Sequence, residues 1–198
     1  MKSVRLWISR LVRFGKRIPG FKQLLLEDQI NLLKYNQYEF RFFGTFKGFN
    51  PKLGVAVNPD GFCCHNEEYP KIHPLGANDT FFELANSLNR PKLTPEEHIV
   101  AQTMILFFPD RAPLKDRAAV EAMQTMLLTC LEFQINKRPP GIARVRGLSH
   151  AIDMLTTIRQ LSIVDDRNRG KEGWIDNLKS FKFKLLEDEI HSFTKVEN

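Results

Sequence analysis

Between Phe14 and Glu39 the chain reads FGKRIPGFKQLLLEDQINLLKYNQYE, and this stretch limits the fold more than any other. Pro19 removes a backbone donor and Gly20 carries the largest backbone entropy, so neither sits well inside a helix. A basic amphipathic helix over residues 3–18 therefore ends near Ile18. A second begins near Asp28, whose carboxylate suits the positive end of a helix dipole. Ile30 and Leu33 fall on one face of that second helix, beside Gln29 and Lys34. The spacing predicts two helices meeting at a corner, with an apolar strip flanked by Lys16 and Lys34.

A chain of 198 residues can fill one core and is short for two, so residues 1–198 are expected to form one domain. Sixteen Phe against three Tyr point to a dry, aromatic interior. Cys63, Cys64 and Cys130 have no metal or redox spacing, and the adjacent pair makes a poor disulfide, which suits a reducing compartment. No apolar run approaches the roughly eighteen residues of a membrane span, so no membrane partner is expected. The net charge of +6 is concentrated early, at Lys2, Arg5, Arg10, Arg13, Lys16, Arg17 and Lys22. At helical spacing Val4, Trp7, Ile8, Leu11 and Phe14 make the opposite, apolar face. A core-facing helix with a solvated basic side explains this better than a nucleic-acid or membrane surface.

Further along, Phe40, Phe42, Phe43, Phe46 and Phe49 form a dense cluster, most simply core. Val55–Val57 and Phe62–Cys64 flank Asn58-Pro59-Asp60-Gly61, a β-hairpin pattern. Asn78-Asp79 can cap a helix through Phe81, Leu84 and Leu88. Thr94-Pro95-Glu96-Glu97 combines a capping threonine, proline at the first helical position and a carboxylate at the third. That helix runs to Pro109. Asp116–Asn136 and residues 145–164 supply two more, the latter with Leu148, Ile152, Leu155, Ile158 and Leu161 repeating at three and four residues. Residues 165–173 are polar, and helical character returns over residues 174–193.

The combination of Lys16-Arg17-Ile18-Pro19-Gly20-Phe21, Asp28-Gln29 and Leu32-Leu33-Lys34 resembles the hallmark of nuclear receptor ligand-binding domains. It is most similar to the subfamily of the peroxisome proliferator-activated, Rev-erb and thyroid hormone receptors. The resemblance implies an all-α fold, a three-layer helical sandwich with a small β-hairpin, here expected to lack the family's first helix and its zinc-binding DNA-binding module. It implies a ligand-regulated transcription module in the nucleus that meets DNA only through that other module. Its partners would be coactivator or corepressor helices, with a retinoid X receptor-like heterodimer or a homodimer formed through residues 145–164.

In such domains a groove grips a Leu-x-x-Leu-Leu helix by a charge clamp, since a short helix has bare NH groups at one end and bare carbonyls at the other. By resemblance Lys16 would hold the carbonyl end and Glu189 the NH end, over a floor of Val12, Gln29, Ile30, Leu33, Lys34 and Leu186. The final segment departs from the family pattern, because Glu187 and His191 fall where apolar residues are usual. A cavity lined by Trp7, Leu11, Phe42, Thr45 and Met154 would take a hydrophobic small molecule or lipid, with no metal or organic cofactor. The family's usual arginine anchor is replaced by Gly44, with Arg41 one turn earlier, and the phenylalanines are large enough to fill the space themselves. Asp110-Arg111-Ala112-Pro113-Leu114 resembles a family loop in which a basic residue pairs with a helix glutamate; Glu97 and Arg111 are the candidates.

Two other classes compete. A ligand-independent dimerisation or corepressor-binding module of the same fold fits the degenerate last segment. An enzyme is disfavoured, since His65, His73, His98, His150 and His191 are scattered without nucleophile, metal or paired-carboxylate spacing. Glu96-Glu97-His98 invites a metal reading, but neighbours on a helix point in different directions.

Overall fold

The computed structural model describes residues 2–50, 52–57, 63–65, 67–68, 78–89, 92–159 and 184–191. These form helices α1 (Lys2–Arg17), α2 (Leu26–Thr45), α3 (Asn78–Asn89), α4 (Pro95–Leu106), α5 (Arg117–Asn136), the one-turn α6 (Ile142–Val145) and α7 (Gly147–Ile158). Residues 184–191 form a last helix, α8. Strands β1 (Phe49–Asn50), β2 (Val55–Val57) and β3 (Cys63–His65) make one antiparallel sheet in the order β1-β2-β3. The mostly helical class with a small hairpin is as the sequence implies, with Phe49–Asn50 added as a third strand. The NPDG turn, the polar stretch 165–173 and residues 160–164 and 174–183 lie outside the described residues.

The chain divides into two compact units. One holds residues 1–37, 103–128 and 171–198, and the other residues 38–102 and 129–170. Helices α2, α4 and α5 each begin in one unit and end in the other.

In the first unit the corner after α1 is built as the Pro-Gly pair demands. Gly20 has φ 89°, and a Cβ there would lie 2.4 Å from the Met123 sulfur, so both backbone and space call for glycine. A single 3₁₀ turn, Phe21–Gln23, follows, with the Phe21 ring fully buried and edge-on to Phe107 at 6.0 Å. Asp28 and Gln29, the paired polar residues opening α2, both turn inward. The buried Asp28 carboxylate accepts the Lys115 and Asp116 backbone NH groups at 2.7 and 2.9 Å, anchoring the entry to α5. The Gln29 amide donates to the Leu24 carbonyl at 2.8 Å and closes the loop behind the corner. Asn36, also buried, donates to the carbonyls of Leu106 and Phe108 where α4 ends.

The second unit is built around the phenylalanine cluster. Phe40, Phe42, Phe43, Phe46 and Phe49 are all buried. Phe42 packs on Phe49 at 5.2 Å and Phe43 on Phe46 at 5.6 Å. The His98 ring of α4 stacks on Phe43 at 4.7 Å with 13° between planes. Burial and then the nearby Lys47 charge press its pKa down to about 4, so the ring is neutral at pH 7 and behaves as one more flat core side chain. Gln102 approaches α2 at Gly44 and donates to the Phe40 carbonyl at 3.1 Å. Helix α3 packs against α7, whose inner face is Ala151, Met154, Leu155 and Ile158.

Candidate functional site

The groove residues expected from the sequence all belong to the first unit. On α1, Val12 is fully buried and Lys16 half-buried. On α2, Ile30 and Lys34 are half-buried while Leu33 is fully buried. Helical spacing puts Ile30, Leu33 and Lys34 on one side of α2, and Gly15 of α1 lies close to Leu33 and Phe21, so α1 and α2 pack tightly at the corner. Gln29, expected in the floor, is buried like Val12 and Leu33. Its side-chain amide is committed to the loop carbonyls, because a buried amide without partners would carry a desolvation penalty.

Helix α8 is held in this unit at two levels. Leu186 and Ile190, four residues apart and so on one face, are both fully buried. One turn of chemistry is added by Lys34, which donates to Glu187 at 2.5 Å, with the lysine side chain 18% exposed. Glu189, the acid expected at the clamp, is half-buried on the same helix. Sequence reasoning missed Glu187 because it fills a position where the family carries an apolar residue. The signal was Lys34 itself, a lysine beside an apolar strip with an acid-rich helix to meet.

The residues expected to line a cavity fall in both units. Trp7 and Leu11 are in the first, half-buried and buried respectively. Phe42, Thr45 and Met154 are in the second. Phe42 and Met154 are buried. The Thr45 hydroxyl donates to the Arg41 and Phe42 carbonyls of its own helix at 3.0 and 3.3 Å.

The expected Glu97–Arg111 pair is corrected. Glu97 is fully buried, and both its oxygens are taken by Arg138: Nε donates to Oε1 at 2.6 Å and Nη2 to Oε2. The guanidinium also donates to the carbonyls of Ala143 and Lys92. Glu97 at the same time closes the capping box of α4, accepting the Thr94 NH at 2.9 Å while Thr94 Oγ1 accepts the Glu97 NH at 3.3 Å. Arg138 wins this place because a buried carboxylate needs a planar, bidentate donor, and the α5 C-terminus brings one to it. Burial alone would raise the Glu97 pKa, but the Arg138 and Thr94 hydrogen bonds and the guanidinium charge outweigh it and hold the carboxyl below its usual range. A second such pair, Glu39 with Arg159 at 3.0 Å, joins α2 to the end of α7. The neighbours of Glu97 diverge as helix geometry requires: Glu96 is exposed and His98 faces Phe43. Among the described residues, no group of three or more His, Cys, Asp and Glu could hold a metal ion, and no helix is long and apolar enough to cross a membrane.

Residues 1–164 match the family model for the ligand-binding domain of nuclear hormone receptor. The chain is 31% identical to Vitamin D3 receptor A of Danio rerio over 136 residues, covering 68% of this chain and 30% of that protein. It is 30% identical to Nuclear receptor subfamily 1 group D member 2 of Rattus norvegicus over 141 residues, 70% of this chain and 24% of the relative. The Vitamin D3 receptor of Xenopus laevis is 27% identical over 164 residues, covering 78% and 37%. The chain thus spans 24–37% of these relatives' length. With the Pro-Gly corner, the buried Asp-Gln pair and a match running through the first 164 residues, this chain belongs to the nuclear hormone receptor ligand-binding domain family.

Proposed function

We propose that the chain is a regulatory domain of a nuclear transcription factor, non-enzymatic, that recruits coregulator helices to the α1–α2 groove under control of a hydrophobic small molecule. The relatives support a place in the group of the vitamin D and Rev-erb-type receptors. The observation that carries the reading is α8 held in the groove's unit by the Lys34–Glu187 pair and by buried Leu186 and Ile190. That arrangement ties the last helix to the same α2 turn that offers Ile30, so what moves α8 changes what the groove presents. Lys16 supplies the positive lip for a partner helix's carbonyl end, and Glu189 on α8 the negative one. Each end contact is worth about 0.3–1 kcal/mol, against roughly 1.5–3 kcal/mol for each leucine buried, so apolar contact sets affinity and charge sets register.

Binding of a fluorescent Leu-x-x-Leu-Leu peptide tests this. Ile30→Asp should abolish binding and Lys16→Ala weaken it several-fold, with thermal unfolding unchanged. Full binding by Ile30→Asp would overturn the groove. A lipid library read by thermal shift tests the ligand, since saturation at a hundred times Kd adds about 2.7 kcal/mol.

A second reading is favoured by one observation. Phe42, expected at the cavity wall, packs on Phe49 within a cluster whose rings fill one another's space. This supports a ligand-independent module that binds coregulators, or dimerises through residues 145–164, without a small molecule. Peptide affinity indifferent to every lipid tested would favour it.

A further inference from the structure

Two successive residues of α2 touch two helices of opposite charge. A Cβ at Gly15 of α1 would lie 3.4 Å from the Leu33 side chain, and Lys34 donates to Glu187 of α8 at 2.5 Å. Helices α1 and α8 therefore border the same turn of α2, within one unit. Their charges are segregated, where an ordinary solvated surface mixes both signs. Helix α1 carries Lys2, Arg5, Arg10, Arg13, Lys16 and Arg17 and no acid. Helix α8 carries Glu187, Asp188 and Glu189 in succession. Arg10, Arg13 and Arg17 are exposed and share one side of α1, next to the half-buried Lys16. Asp188 is exposed too, and Glu189 is half-buried. The positive lip thus continues along α1 for about 10 Å between Arg10 and Arg17, while the α8 lip is negative.

A partner helix between these lips meets them with more than its two ends. Its bare carbonyls face Lys16, so the residues that follow it enter the field of Arg13 and Arg17. The residues that precede it enter the field of Asp188 and Glu189. A segment acidic throughout is repelled by α8, and one basic throughout is repelled by α1. We propose that the groove selects polarised partners: a Leu-x-x-Leu-Leu helix with lysine or arginine just before its first leucine and aspartate or glutamate just after its last. An arginine stripe of about 10 Å matches roughly three extended residues of the acidic flank. The inference rests on the coregulator groove proposed above and adds the class of partner that fits it. This flank pattern runs against the partner's own helix dipole, which favours acids at the NH end and bases at the carbonyl end. The helix propensity of a free peptide therefore cannot imitate the preference.

The test is fluorescence anisotropy on the whole chain with three peptides that share one Leu-x-x-Leu-Leu core. One has two lysines before the core and two glutamates after it, one has the flanks exchanged, and one has neutral flanks. The first should bind about tenfold more tightly than the neutral peptide and the exchanged one about tenfold more weakly. Molar salt should close the gap, because screening removes the flank contribution and leaves leucine burial. Arg10→Glu with Arg17→Glu should cancel the preference for acids after the core, and Asp188→Lys the preference for bases before it. Both sites are exposed, and thermal unfolding confirms the fold of each variant. Equal affinity for all three peptides overturns the inference and leaves the groove standing, whereas no binding by any of them overturns the groove and the inference together. An acidic peptide without leucines that bound as tightly as the first would also overturn it, by making α1 a general anion surface.

Discussion

Replacing Arg138 by methionine removes the guanidinium while keeping much of the side chain's bulk. It leaves the Glu97 carboxylate, 0% exposed, with the Thr94 NH as its remaining charge-stabilising donor. Breaking a buried pair from one side costs about 3–5 kcal/mol, because an uncompensated charge stays behind. The carbonyls of Ala143 and Lys92 lose their donor as well, but both bonds are partly exposed and water replaces them. For a chain of this size about 3–5 kcal/mol lowers Tm by roughly 6–20 °C. Urea unfolding followed by far-ultraviolet circular dichroism, with tryptophan fluorescence as a second probe, measures the loss. Arg111→Met, at a half-buried side chain, is the comparison for the rejected pairing and is expected to cost less than Arg138→Met. A cycle with Glu97→Gln should recover much of the loss, since a neutral amide buried beside methionine carries no stranded charge. The folded Glu97 pKa lies below its unfolded value, so this stability is present above the unfolded carboxyl pKa and is lost as pH falls through the folded one. Arg138→Met within about 0.5 kcal/mol of wild type, or Arg111→Met costing more, would refute the assignment.

Three further outcomes are expected. His98, with a folded pKa of about 4 against 6.5 when free, stays neutral in the fold, so stability is full above pH 6.5 and declines as pH drops toward 4. Discounted for its partial exposure, this is about 1–2 kcal/mol, and His98→Phe should flatten that part of the pH–stability curve in urea titrations. Gly20→Ala should cost about 1–3 kcal/mol in equilibrium unfolding, since φ 89° is strained for an L side chain and Met123 must move; a neutral change would show the corner relaxes freely. Phe42→Ala should lose about 3–5 kcal/mol as a core truncation, and a loss near zero in the same assay would remove it from the phenylalanine core.

Much of the fold was legible because its signals are short-range. Pro19-Gly20, the Thr94 box and the alternation around NPDG each act within a few residues, and the structure has a corner, a capped α4 and paired strands β2 and β3 at those places. The phenylalanines were readable as core because so many large rings within ten residues cannot all face water. The candidate groove was legible as a list, since resemblance transfers positions, but not as a set of contacts. Gln29 was expected in the groove floor, and only the structure shows its amide bonded to the Lys22 and Leu24 carbonyls.

What the sequence determined by itself, then, was where helices start and stop and which faces are apolar, since spacing rules reach one or two turns. The tertiary structure alone decided which charges meet. Glu97 and Arg138 are 41 residues apart and Lys34 and Glu187 are 153 apart. Nothing in either pair's local sequence distinguishes the chosen partner from Arg111 or Glu189. The buried Glu97 charge pairs with the donor that the packing of distant helices delivers to it, and the penalty for leaving it alone makes that choice binding.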